Sequence, residues 1–336
     1  MIQELLKKVL AKGDLTRSEA QTAMNLIMDG KATSAQIAGL LIGLMQKGEA
    51  TDEVAGFVDA MREHAVKIDI DDPHAVDGCG TGGDDSQTFN ISTAAAIVTS
   101  AAGVTVAKHG NRSVSSRCGS ADLLEATGGN IDPGPDRVAK AINEVGFGFL
   151  FAPRFHPAMK HAAATRRELG IRTVFNVLGP MTNPAGVKRQ VIGVYDRTVM
   201  RLMIEVMKTT GSEHVIMAHS REGHDEFSMS SPTDYLELKD GRIAEHSVQP
   251  EDLGLKSYAP GSVAGGGSQT NLEILTRVLK GDAGPYRDAV LINAGAMIYV
   301  GGAAESIRDG LAAAAGAVDT GRAREVLEHW ITHSNS

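Results

Sequence analysis

Through the first 66 residues the apolar positions recur at helical spacing and never settle into alternation. Ile2, Leu5, Leu6, Val9 and Leu10 fall at i, i+3, i+4, i+7 and i+8, one face of a helix. Thr16 followed by Glu19 has the form of a capping box, Ser34 precedes the face Ile37, Leu40, Leu41 and Leu44, and Thr51 precedes Val54, Phe57, Val58 and Met61. No strand is expected here. Beyond Asp72 short apolar runs, bounded by glycine-rich turns, alternate with helical patterns, as in a mainly parallel sheet covered by helices. Strands are expected at 75–77, 104–107, 147–150, 190–194, 214–218 and 235–238. Helices are expected at 91–102, 121–127, 137–145, 159–169, 198–209, 271–279, 288–300 and 322–330. Residues 261–267 read as a flexible connecting turn. The fold class is therefore α/β: a small N-terminal all-helical domain, residues 1–72, ahead of a larger domain, 73–336, with a mainly parallel sheet flanked by helices.

Composition narrows the class of function. A chain of 336 residues is long enough for two domains with cores of their own. A formal charge of −8 argues against a protein that coats nucleic acid, while a local basic pocket stays allowed. The longest apolar stretch, 289–300, is interrupted by Asn293 and too short to span a bilayer. Glu4, Lys7 and Lys8 leave the N-terminus without the apolar core of a signal peptide, so a soluble, cytoplasmic protein with no membrane partner is expected. Cys79 and Cys118, with no Cys-x-x-Cys spacing, suggest neither a zinc site nor a disulfide. Glycine, at 38 residues, exceeds its usual share of about 7%, and much of the chemistry gathers around it.

Asp77-Gly78-Cys79-Gly80-Thr81-Gly82-Gly83-Asp84 runs from a short apolar strand into four glycines. Such a loop frees successive backbone N–H groups to face anionic oxygens, and the helix opening near Asn90, Ile91, Ser92 and Thr93 adds its positive end. A plain tight turn would need one or two glycines, so phosphate binding is the better reading. Gly78, Gly80 and Gly83 also spell a dinucleotide fingerprint, but no helix follows at once and 98–107 holds no carboxylate for a ribose. A Walker loop is excluded because no Gly-Lys-Ser/Thr closes it.

The strand at 104–107 leads into Lys108-His109-Gly110-Asn111-Arg112-Ser113-Val114-Ser115-Ser116, rich in cations, amide and hydroxyls. At the carboxyl end of a strand beside the glycine loop, this run sits where open α/β sheets bind ligands. Lys108 and Arg112 suit phosphate oxygens, and His109 and Asn111 can donate to a carboxylate. Asp225 and Glu226 follow another strand; adjacent acids are often solvated surface, but beside a phosphate cleft they suit Mg2+. Arg166 and Arg167 open the last block, 166–185, and arginine is the residue for bidentate carboxylate capture, although at a helix C-terminus one of the two is expected only to complement the helix dipole.

These elements, in this order and separation, resemble the anthranilate phosphoribosyltransferase family from the N-terminal helices to about Leu327. The resemblance implies a homodimer with its cleft between the helical domain, to which about 166–187 also contributes, and the phosphoribosyl-binding α/β domain. It implies that Gly80, Gly83, Asp84, Thr88, Asn90, Ile91, Ser92, Thr93, the run 108–116 and Ser120 surround 5-phosphoribosyl 1-pyrophosphate (PRPP). Gly80, Asn111 and Arg166 would serve anthranilate, and Ser92, Asp225 and Glu226 would belong to the Mg2+ arrangement. Cys79 stands where that family usually has an aliphatic residue, and Asp85 where glycine is expected. No covalent or general-base residue is implied; Lys108 acts electrostatically. Two alternatives stay open: a pyrimidine nucleoside phosphorylase, which shares the fold and glycine loop, and a non-catalytic paralogue that binds nucleic acid.

Overall fold

A computed structural model describes residues 1–82, 87–113 and 117–336. Four helices come first, α1 (Ile2–Leu10), α2 (Arg17–Met28), α3 (Ser34–Lys47) and α4 (Thr51–His64), and no strand precedes residue 76. The Thr16–Glu19 capping box opens α2 as expected. On α3 the cap lies one residue before the expected Ser34, because Thr33 and Gln36 form the reciprocal box. Glu53, wholly buried, accepts from the backbone N–H of Leu15 and of Ala50 and pairs with Lys47 at 2.9 Å, tying α3, α4 and the α1–α2 connection together.

The remainder alternates as β1 (Val76–Gly80), α5 (Ile91–Ala101), β2 (Val106–Gly110), α6 (Ser120–Ala126), α7 (Pro135–Val145), β3 (Phe147–Phe151), the single turn α8 (Ala152–Phe155), α9 (Lys160–Leu169), the short α10 (Phe175–Leu178), β4 (Arg189–Gly193), α11 (Arg197–Thr209), β5 (His214–Ser220), β6 (Thr233–Lys239), β7 (Arg242–Val248) and α12–α15 (Ser268–Leu279, Pro285–Val300, Ile307–Asp319, Arg322–Asn335). The sheet order is β3-β2-β1-β4-β5-β6-β7; its first five strands pair in parallel, and β6 and β7 are antiparallel. One face packs against α5 and the C-terminal helices. The other shares a continuous apolar core with α11 and the N-terminal helices, including Ala162, Phe175, Leu178 and Met181 from the segment between β3 and β4.

Four differences from the expected elements stand out. β7 was not expected: its residues are partly or fully exposed, as suits an edge strand, although Asp240 and Gly241, both at positive φ, form the tight turn that builds the hairpin. The helix Ile307–Asp319 was also not expected, because Gly310 and Gly316 weaken its pattern; Gly310 is there so that α14 can lie directly on the backbone of Gly295 in α13. In addition, β1 and β2 run three residues beyond their expected ends, so that Gly78–Gly80 and Lys108–Gly110, read as loop, are paired strand. Nor is 261–267 a free connector: Ala264 bridges to Thr88, Val263 accepts from the Phe89 N–H, and Gly265 donates to the Gln87 carbonyl.

Candidate active site

The chain enters the sheet at its middle, lays β2 and β3 to one side of β1 and then crosses to β4 and β5 on the other. The order therefore reverses between β1 and β4, and an open α/β sheet binds ligands at the carboxyl ends of its strands at such a point. Gly80 and Gly193 are register partners at those two ends. A Cβ on Gly193 would overlap the backbone carbonyl of Asp225, and one on Gly80 would overlap its carboxylate. The two missing side chains form the seat of Asp225, and the Gly82 N–H completes it by donating to Oδ2 at 2.9 Å. Thr81 donates its N–H to the Gly193 carbonyl, which ties the glycine loop to β4.

Around this seat lies a cleft of about 10 Å3, lined among others by Gly78, Cys79, Ser92, Asp225, Glu226 and Asn293. Lys108 reaches it from β2, although only 1% of the residue is exposed; its Nζ donates to the Gly78 carbonyl at 2.5 Å and lies 3.5 Å from Ser92 Oγ. Burial lowers the pKa of this ammonium, opposed by the charges of Asp77 and Glu226. Asp77 is fully buried beneath it and accepts from the His109 N–H and from Asn183 Nδ2. Burial lifts its carboxyl to about 6, while Lys108 pulls the other way. Burial likewise raises the Cys79 thiol, so Cys79 is not poised as a nucleophile.

The expected residues fall into four groups. Ser92, Asp225 and Glu226 line the cleft, with Gly80 against Asp225 and Lys108 bonded to the Gly78 carbonyl in its wall. Asn90 is held near it by Cys118 and Asn271, Thr88 sits on its bridge to Ala264, and Ser120 donates to the Asn111 carbonyl where Gly110 leaves room for the hydroxyl. Others turn elsewhere. The side chains of Ile91 and Thr93 are buried, and the Arg112 guanidinium is bidentate to Glu125 and bonded to Asp122, so a ligand anion would compete with two carboxylates for it. Ser113 donates its N–H to Asp122. Gly83, Asp84, Asp85, Val114, Ser115 and Ser116 lie outside the described residues.

Arg166 and Arg167 diverge as neighbours on a helix must. Arg167 is exposed, whereas Arg166 is half-buried over the Phe175 ring at 5.1 Å, and burial lowers its pKa. Sequence reasoning gave no role to Asn183, whose amide joins Asp77 to the Ala107 carbonyl, or to His156, whose ring lies 5.1 Å from that of His109. The polar residues of the 182–183 stretch in an apolar block were the available signal. His109 and His156 bond the main chain of Gly179 and Thr182, and the Nε2 of each is buried with no partner among the described residues.

Parallel sheet, glycine-lined switch point, buried lysine and paired carboxylates together describe a phosphosugar-handling transferase. The chain matches the helical bundle domain of the glycosyl transferase family over residues 3–65 and the a/b domain of that family over 72–324. It is 47% identical over 331 residues to the anthranilate phosphoribosyltransferase of Alkaliphilus metalliredigens, covering 98% of each chain. The crystal structure of anthranilate phosphoribosyltransferase from Thermus thermophilus superposes with a TM-score of 0.94 at 41% identity, covering 98% of this chain and 99% of that one. The Saccharomyces cerevisiae enzyme in complex with PRPP and Mg superposes at 0.91 with 27% identity, covering 99% and 98%. The chain belongs to the anthranilate phosphoribosyltransferase family.

The two buried imidazoles fix a pH dependence. Burial lowers His109 to about 3 and His156 to about 4, below the value near 6.5 of an unfolded chain. Between those values the unfolded state binds more protons, so stability falls as pH drops from about 6.5 toward 4. His156→Gln is expected to reduce the loss between pH 7 and pH 5 by about 1–2 kcal/mol in urea unfolding; an unchanged loss would mean that the imidazole is not held neutral.

Proposed function

We propose that this chain transfers the phosphoribosyl group of PRPP to the amine of anthranilate, giving N-(5-phosphoribosyl)anthranilate and pyrophosphate. The observation that carries the reading is the seat built by Gly80 and Gly193, which sets Asp225 and Glu226 opposite a buried lysine at the reversal point of the sheet. The amine nitrogen bonds to C1 of the ribose as the C1–O bond to pyrophosphate breaks, and the nitrogen then sheds a proton to solvent. A neutral aromatic amine is already nucleophilic, so the chain needs no covalent residue; it has to place the two substrates and hold the leaving group.

Lys108 and the positive end of α5 face the pyrophosphate and ribose phosphate. Gly80, Gly83, Asp84, Thr88, Asn90, Ile91, Ser92, Thr93, 108–116 and Ser120 surround PRPP, with Ile91, Thr93 and Arg112 contributing main chain because their side chains are engaged elsewhere. Asp225, Glu226 and the Ser92 hydroxyl offer oxygen ligands only, the donor set that hard Mg2+ prefers, and substrate oxygens and water complete it. Bound there, Mg2+ supplies neutralisation of the charge growing on pyrophosphate. Arg166 and Asn111 receive the anthranilate carboxylate, with Gly80 lining the site. Residues 1–72, joined by 166–187, form the helical unit over the cleft and 73–336 the phosphoribosyl unit. Two copies pair through the helical unit, and the protein works in the cytoplasm. Among the described residues no helix is long and apolar enough to cross a membrane.

Replacing Asp225→Asn together with Glu226→Gln keeps shape and deletes charge, so the fold should persist while most activity and its Mg2+ dependence are lost. Near-native turnover across a Mg2+ titration would reduce the pair to solvated surface. For the acceptor, losing a charge-assisted pair costs about 1.5–3 kcal/mol, roughly 10- to 150-fold. Arg166→Ala should raise the KM for anthranilate on that scale, spare the KM for PRPP and exceed Arg167→Ala in effect; a larger anthranilate defect in Arg167→Ala would assign the carboxylate to the other arginine.

A further inference from the structure

Helix α13 is buried along most of its length, and Asn293 interrupts its apolar run. Only 4% of this residue is exposed, between buried Ile292 and Ala294, and an amide so placed costs free energy unless it is bonded. Its bonds go to one residue outside the helix. Oδ1 accepts the Phe227 N–H at 3.2 Å, and Nδ2 donates to the Phe227 carbonyl at 3.4 Å and to the Ala289 carbonyl at 2.9 Å. The side chain thus copies the pairing of a neighbouring strand and fixes the peptide groups on both sides of Phe227, next to Glu226.

The rest of that loop is fastened by independent means. The Phe227 ring is buried against Tyr235, and Arg221 is paired with Asp234. Glu222 accepts from the hydroxyls of Ser228 and Ser230. These hold its flanks. Closer to the carboxylates lie the glycine seat under Asp225 and the Asn293 amide, which also lines the cleft.

We propose that Asn293 is a positioning residue: by bonding both backbone groups of Phe227 it sets the direction of the Asp225 and Glu226 carboxylates into the cleft, and so the affinity for Mg2+-bound PRPP. This rests on the reading of that pair as the Mg2+ arrangement. Residues that orient metal-ligating groups typically cost 10–100-fold in metal affinity or activity when changed. Asn293→Leu removes both bonds while keeping an apolar side chain of similar volume in an apolar helix.

The direct readout is PRPP binding by calorimetry without anthranilate, at limiting and at saturating Mg2+, alongside the KM for anthranilate and the Tm. The gain in PRPP affinity on adding Mg2+ should fall about ten-fold or more in Asn293→Leu, with the KM for anthranilate little changed. Should that variant not fold, Asn293→Ser, whose hydroxyl is too short to bond both groups, carries the same expectation. A gain equal to that of the unmodified protein, whatever happens to Tm or turnover, would overturn the proposal, because a merely structural amide would lower stability and leave Mg2+ coupling alone. Asp225→Asn with Glu226→Gln is measured in parallel. If the double variant loses the gain and Asn293→Leu keeps it, the reading of the pair stands and the role of Asn293 falls; if the double variant keeps the gain, the reading falls and takes this proposal with it.

Discussion

A carboxylate can rest across the ends of β1 and β4 only because neither strand carries a Cβ at that level. Gly80 and Gly193 face each other in register, and any larger residue at either would displace Asp225. The contact joins two segments far apart in sequence, and the cleft depends on it. The sheet order places a gap between outward-running connections at this pair, the glycine loop starts from one member, and the acidic loop is laid over both. Its cost is conformational, since glycine loses more freedom on folding than any other residue, and strand pairing on both sides of β1 and β4 offsets it.

Charge is arranged in depth behind the seat. Lys108 and Asp77 are both buried, and burial opposes ionisation of each while their attraction favours it. Isolated, either would be a severe liability. Asp77 is bonded to Asn183 and the His109 N–H, and Lys108 to the Gly78 carbonyl, so both charged groups are held in place under the cleft. A site that must stabilise charge gathering on a leaving group gains from donors already fixed and already desolvated. Arg166 on α9 is likewise half-buried, held over Phe175 from the segment that packs with the N-terminal helices.

How far the sequence carries depends on which residues are chemically conspicuous. The glycine loop, Lys108, Asp225, Glu226 and Arg166 were legible because such residues in such runs have few structural uses. The extent of β1 and β2 was not: glycine is a poor strand former, and a lysine followed by a histidine reads as loop until their pairing with β4 and β3 and their burial are seen. The pairing of Arg112 was not legible, because its partners, Asp122 and Glu125, lie on the next helix and follow no local spacing rule. β7 was hidden by exposure, and α14 by a glycine whose purpose is a contact with Gly295 that only the assembled core reveals. Asn293 was visible as an interruption, but its partner is 66 residues away.

If this cleft joins PRPP to anthranilate through Mg2+-dependent positioning, the joining can be watched directly, because anthranilate is fluorescent: its emission is followed after the purified protein is mixed with PRPP and Mg2+. Emission is expected to decay in proportion to enzyme added, pyrophosphate to accumulate in equal amount, and a chelator of divalent cations to stop both. Stable emission with every component present, or phosphate-dependent cleavage of a pyrimidine nucleoside in its place, would contradict it.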